Sequence, residues 1–252
     1  MKEDLFEWTP GHWQEWRDAN NPYRRYKCER DRALAVRALQ LQDGDTVLEV
    51  GCGYGWVSKA LLEAARIHWF GIDPAESMIR QVQLSLGAYE ITALVGQGSR
   101  LPFPSGSFDK VLCTGVLMHI PDDFAVLREM ERVLRPGGML LCSMNSVLSP
   151  ASWVEWVRNR SKRGFVQNYR RPATYRRYLE NLRLKLIHVY GDGLFSTSVL
   201  RLGRFGFPPA RAFPLLRVLD GWAVEWFPEL AHEVWFTASK TSEALAARSD
   251  GP

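Results

Sequence analysis

Cysteine is scarce in this chain. Four occur in 252 residues (Cys28, Cys52, Cys113 and Cys142), scattered and without a CxxC pair. That usage excludes a disulfide framework and a zinc cluster, and it predicts a reducing, cytoplasmic setting. Histidine is as sparse. Five are present with no HxxxH and no His/Cys cluster, so no metal is expected. No run approaches the ~18 apolar residues of a membrane span. The opening residues, Met1 to Trp8, are polar and acidic, which predicts no secretory signal. Internal repeats and low-complexity tracts are absent. Neither charge dominates: 32 Lys and Arg stand against 28 Asp and Glu, a net charge of +4.

What is present is a globular recipe, 46% hydrophobic and 24% charged. It excludes a wholly disordered or fibrous chain. At this length a chain buries roughly 75% of the surface it exposes when unfolded, so a core needs no cross-links. The cations are unevenly placed. Residues 158–185 hold ten Arg and Lys against one acid, Glu180. A solvated face and a surface for an anionic substrate fit this equally well. Nucleic acid ranks below them, on Tyr169, Tyr175 and Tyr178 interleaving the arginines.

From residue 30 the chain acquires a rhythm. Arg30 to Leu41 reads as an amphipathic helix and Asp43-Gly44-Asp45 as a turn. Thr46–Val50, Ile67–Ile72, Ile91–Val95, Lys110–Thr114 and Met139–Met144 read as strands. Helices over 56–66, from about Pro74, and from Asp122 or Asp123 to Leu134 separate them, with Pro74 as a first-turn residue. Strands apolar throughout and alternating with helices predict a parallel sheet covered on both faces. Further on, Ser152–Lys162 and Thr174–Leu182 read as helices, and Leu184–Tyr190 and Glu233–Ser239 as strands. Residues 195–230 show no clear period, and their aromatics (among them Phe195, Phe213, Trp222 and Trp226) could wall an apolar pocket.

Ligands of such sheets bind beyond the carboxyl ends of the strands. There the chain places Glu49-Val-Gly51-Cys-Gly53-Tyr-Gly55, and 22 residues past Gly51, Asp73. A glycine turn lets a ligand approach the backbone, the following helix offers N–H groups, and Asp73 can accept from both hydroxyls of a ribose. A dinucleotide wants G-x-G-x-x-G. This loop is G-x-G-x-G, and Glu49 would repel a pyrophosphate but attract an ammonium or sulfonium.

Val47 to Gly55 resembles motif I of the class I S-adenosylmethionine-dependent methyltransferases. The resemblance continues through Gly71-Ile-Asp73, Leu101 to Asp109, Gly115-Val-Leu-Met-His-Ile-Pro121 and Glu129 to Gly138. It covers residues 46–144 and is similar to the ubiquinone/menaquinone-type small-molecule branch. It implies a Rossmann-like, seven-stranded, mostly parallel sheet with helices on both faces, the last strand antiparallel, and a cap. Residues 1–252 would be one domain: an N-terminal lid and helix (1–42), a cofactor core (43–145), cap insertions (146–182 and 195–230) and a flexible tail (241–252).

The resemblance also implies roles. Glu49, Gly51 and Gly53 would line the methionine end of S-adenosylmethionine, with Thr114 and Gly115 beside it. Asp73 would hold the ribose, with Pro74 and Met78 against the adenine. Relatives carry an Asp where this chain has Gln97. Its amide oxygen can still accept from the adenine amino group, and Gly98 and Ser99 can add contacts. Tyr23 or Tyr26 would close the pocket. His119 would be a general base or would orient substrate. His12, His68, His188 and His232 read as surface or strand residues. The expectation is methyl transfer to a small molecule, oxygen marginally before nitrogen or carbon, by a monomer or homodimer without a metal. A membrane surface is compatible but not required. An RNA-modifying enzyme and a non-catalytic partner protein with a relic cofactor site are the rivals.

Overall fold

The computed structural model describes residues 22–159, 168–194 and 213–241. Helix α1 (Pro22–Leu39) leads into β1 (Thr46–Val50), α2 (Ser58–Ala64), β2 (His68–Asp73), α3 (Glu76–Leu86), β3 (Ile91–Val95) and β4 (Phe108–Cys113). A 3₁₀ turn (Leu117–His119), α4 (Asp123–Val133), β5 (Leu134–Ser146), α5 (Pro150–Asn159), β6 (Tyr169–Arg170), α6 (Pro172–Asn181) and β7 (Leu184–Asp192) follow. Helix α7 (Phe213–Trp226), a second 3₁₀ turn (Pro228–Leu230) and β8 (Glu233–Lys240) end the described chain.

The main strand order is β3-β2-β1-β4-β5-β8-β7. The first five of these strands run parallel, and β8 runs antiparallel to both β5 and β7. Among the described residues the sheet has the expected seven strands in that path and an eighth, β6, which pairs with Asn145 and Ser146 of β5. Strand β4 pairs with β5 only as far as Cys142, while β8 holds the other edge. So β6 takes the edge of β5 that lies free once β4 has ended. Two residues make too short a run for any periodicity, which is why the sequence pattern does not show it.

Alternation along the strands divides the core. Leu48, Val50, Val111, Leu140, Cys142 and Phe236 face α4 and α6. Val47, Trp69, Leu112, Leu141 and Trp235 face α1, α2 and α3. No disulfide joins the four cysteines, and all are buried. Burial first, then the Glu49 charge among the other causes, pushes the Cys52 and Cys113 thiols well up, so both stay protonated.

Several boundaries differ from the expectation; β5, for one, begins at Leu134 rather than Met139. Helix α1 begins at Pro22 rather than Arg30. Pro74 precedes the α3 cap, Ala75, and so lies outside the first turn. Residues 213–226, expected to be irregular, form α7. The Asp122 cap stands: its carboxylate accepts from the Ala125 N–H at 3.0 Å. The N-terminal segment before Pro22, His12, residues 195–212 and the tail from Ser242 lie outside the described residues.

Candidate active site

The glycine turn sits at the carboxyl end of β1 and is tied to β2. Gly51 and Cys52 donate to the Ile72 carbonyl at 2.7 and 3.1 Å. Gly53 N–H donates to Asp73 Oδ2 and Ala75 N–H to Asp73 Oδ1, each at 3.0 Å. The carboxylate is therefore oriented by two backbone donors. Each oxygen keeps a lone pair for a further donor. Burial raises the Asp73 pKa, against the pull of those two N–H groups.

Gly51 and Gly53 both have positive φ, +74° and +54°, where L side chains are strained. Their surroundings differ. A Cβ on Gly51 would lie 2.4 Å from Val116 Cγ2. A Cβ on Gly53 would meet nothing within 4 Å. Gly51 is thus a packing glycine against the segment after β4, and Gly53 opens on free space beside Asp73. Gly115 likewise has positive φ and open space, and its N–H donates to Ser143 Oγ of β5 at 2.8 Å.

The other expected residues fall out unevenly. Glu49 is buried beneath the turn, where its Oε2 accepts from Ser58 Oγ at 2.6 Å and Trp69 Nε1 at 3.2 Å. These partners hold the start of α2 under the loop. Met78 is buried in α3 and Pro74 is half-buried. Gln97 and Ser99 are exposed past β3. A Cβ on Gly98 would lie 2.7 Å from Val50 Cγ1, so close packing accounts for this glycine. Tyr23 and Tyr26 lie on the first turns of α1, and their side chains are outside the described set.

His119 lies half-buried at the end of the first 3₁₀ turn. The cap insertion is fastened to this segment. Asn168 N–H donates to the Met118 carbonyl at 2.7 Å, and its Nδ2 to the Ile120 carbonyl at 2.5 Å. Arg170 makes a two-pronged contact with Asp123, both bonds 2.7 Å, and Tyr175 Oη donates to the same carboxylate at 2.5 Å. Asp123→Ala should lower stability by about 2–3 kcal/mol, because it strands a buried hydroxyl and a guanidinium. Urea unfolding tests this, and an unchanged midpoint would remove the network from the fold.

These contacts also correct two expectations. Arg170 and Arg176 are neutralised, by Asp123 and Glu229. Tyr175 is buried and Tyr178 packs on Phe124, so these two tyrosines are not a stacking platform for bases. His232, read as a surface or strand residue, is buried ahead of β8. Its Nδ1 is 3.2 Å from Ser152 Oγ and its Nε2 is 3.4 Å from Glu155 Oε2. His68 and His188 are exposed on strands, as expected.

Sequence reasoning missed one cluster entirely. Lys27 Nζ lies within 2.8–3.3 Å of Asp31, Asp192 and Glu233, and Arg30 within 3.1–3.7 Å of Asp192 and Asp220. Burial chiefly, opposed by Lys27, pushes the Asp31 carboxyl up to about 7. The three acids around Lys27 have the spacing of metal ligands, but the ammonium sits among them. The cluster latches α1 to the crevice end of β7 and β8.

A glycine turn locked to an acidic strand end, on this sheet order, defines the class. Residues 48–142 match the family model of the methyltransferase domain. Over that stretch, less than half of its length, the chain is similar to methyltransferase domains.

Among curated relatives it is similar to the demethylmenaquinone methyltransferase of Geobacillus stearothermophilus, 32% identical over 143 residues, 55% of this chain and 60% of that one. The chain thus spans less than two thirds of that relative's length. Among solved structures it resembles a Haloferax volcanii methyltransferase in complex with the Trm112 activator (TM-score 0.63, 20% identity, 91% of this chain and 98% of that one). It also resembles Haemonchus contortus phosphoethanolamine N-methyltransferase 2 in complex with S-adenosyl-L-methionine (TM-score 0.62, 18% identity, 85% and 53%). At such identities the structures show the fold alone. Among the described residues no helix is long and apolar enough to cross a membrane.

Proposed function

We propose that this chain transfers a methyl group from S-adenosylmethionine to a small-molecule acceptor, oxygen before nitrogen or carbon. The observation that carries the reading is the Gly53–Asp73 pair: a fixed carboxylate with spare lone pairs, beside a glycine whose missing Cβ leaves open space. That is a cradle for a ribose and its neighbouring backbone-hugging atoms. The residues present therefore fit the cofactor. When bound, it supplies an electrophilic methyl on a sulfonium.

The chain's own part is to align and to exclude water. Asp73 holds the two ribose hydroxyls. Gly53 and Gly115 would let the ligand lie against the backbone, while Gly51 lets the turn pack on Val116. Glu49, buried under the turn and held by Ser58 and Trp69, would favour the positive charge of the bound cofactor. Asn168, ahead of β6, donates to the Met118 and Ile120 carbonyls and so fixes the segment that carries His119. A hydroxyl acceptor must lose a proton, and His119 is the base proposed for it.

Titration with S-adenosylhomocysteine, with NADH beside it, tests the cofactor assignment. Binding of the former alone, at about micromolar Kd or −8 kcal/mol, is expected. Binding of NADH instead would overturn the assignment. His119→Ala should leave that affinity unchanged and slow transfer to an active acceptor by about 10²–10⁴-fold. Full activity across pH would reduce His119 to packing.

A further inference from the structure

Two helices of this fold are built inside out. In α5 the inward residues include Ser152 and Glu155, which meet buried His232, while Trp153, Val154, Trp156 and Val157 face outward. Trp153 is 64% exposed and Val157 66%. In α7 the buried Asp220 meets Arg30. Leu215, Val218, Leu219, Trp222 and Trp226 face outward, Trp226 at 67% exposure. Glu225 is the acid that shares this outer face. A helix resting on a core and facing water has the opposite polarity. Single exposed hydrophobes are ordinary, but two such faces are not.

Both helices stand at one place. Helix α5 touches His232, and α7 packs against the 228–230 turn, whose Glu229 carbonyl accepts from Ser146 Oγ at 2.7 Å. This is the carboxyl end of β5, the crevice end of the sheet. The flanking sequence adds charge of one sign. Residues 158–167, which begin at the end of α5, hold Arg158, Arg160, Lys162 and Arg163 and no acid. Residues 195–219, which lead into and through the first half of α7, hold Arg201, Arg204, Arg211 and Arg217 and no acid, while its second half holds Asp220 and Glu225.

We propose that the α5 and α7 outer faces dock this protein on an anionic lipid bilayer surface. Tryptophan prefers the headgroup boundary, since its ring is apolar and its N–H polar. Amphipathic helices with such faces lie in the interface, and basic sequence beside them favours an anionic over a neutral bilayer. Polar inward contacts, to His232 and Arg30, free the apolar stripes for lipid. The crevice end of the sheet then faces the bilayer. The docking stands apart from the cofactor assignment, which S-adenosylhomocysteine titration reads separately.

The test is co-sedimentation of the full chain with vesicles of phosphatidylcholine alone and of phosphatidylcholine with phosphatidylglycerol. Two variants accompany it, Trp153→Ser/Trp156→Ser and Trp222→Ser/Trp226→Ser. All four side chains are exposed, so both variants should fold, as far-ultraviolet circular dichroism would check. Binding to the anionic vesicles, with a blue shift of tryptophan emission, is expected. It should weaken about tenfold in each variant and in high salt. No binding to anionic vesicles, or binding unchanged in both variants, would overturn the proposal. A dimer in sedimentation that the same variants dissociate would also overturn it and assign the face to a second copy.

Discussion

Gly51→Ala will both destabilise the fold and abolish S-adenosylhomocysteine binding. Two costs add at this position. The backbone has φ +74°, a left-handed conformation that costs an L residue about 1–2 kcal/mol. The new Cβ would stand 2.4 Å from Val116 Cγ2, an overpacking that typically costs about 1–3 kcal/mol. The expected total is about 2–5 kcal/mol. The relief lies in moving Val116, which is tied through the 3₁₀ turn to His119. So the damage spreads from the glycine turn to the segment after β4. Gly53→Ala separates the effects. It meets no protein atom and should cost about 1–2 kcal/mol from φ alone, yet it should weaken ligand binding strongly. Thermal unfolding and calorimetric titration of the two variants read this directly. If Gly53→Ala binds as tightly as the parent, the open space there is not the cofactor's. Val116→Ala added to Gly51→Ala should recover the packing part of the lost stability and leave the φ cost.

Asp73→Ala should reduce S-adenosylhomocysteine affinity by about 1.5–3 kcal/mol, the value of hydrogen bonds to a charged acceptor. It also frees the Gly53 and Ala75 N–H groups, so the turn loses its anchor. Asp73→Asn keeps one acceptor oxygen and should fall between. The pH dependence has a definite sign. Burial raises the Asp73 pKa, and the ribose hydroxyls donate to the ionised form. Affinity should therefore decline on acidification at a higher pH than an ordinary carboxylate would give, and be complete at neutrality. The decline should vanish in Asp73→Asn. Unchanged affinity in a folded Asp73→Ala would sink the assignment of the ribose site.

The cofactor half was legible because its signals are local. β1 and β3 begin and end where the apolar runs do; β1 is covered on both faces and needs no alternation, while β3, at the sheet edge, leaves Thr92, Leu94 and Val95 exposed. The glycine spacing and Asp73 could be read one after the other, because one helix and one strand separate them. What was not legible depends on partners far apart in the chain. Lys27 meets Glu233 across 206 residues. His232 meets Ser152 across 80. No spacing rule reports such pairs, so His232 read as an ordinary strand-side histidine and Lys27 as nothing at all.

By itself, then, the sequence determined the sheet, its glycine turn and the acid that faces it, because these follow from apolar patterning and backbone sterics over a few residues. Tertiary structure alone decided which way α5 and α7 point. A helical stripe of Trp, Val and Leu is the same string whether it faces a core or faces outward. The direction is chosen by what the opposite stripe can pair with, and here Glu155 and Asp220 have partners waiting, in buried His232 and half-buried Arg30.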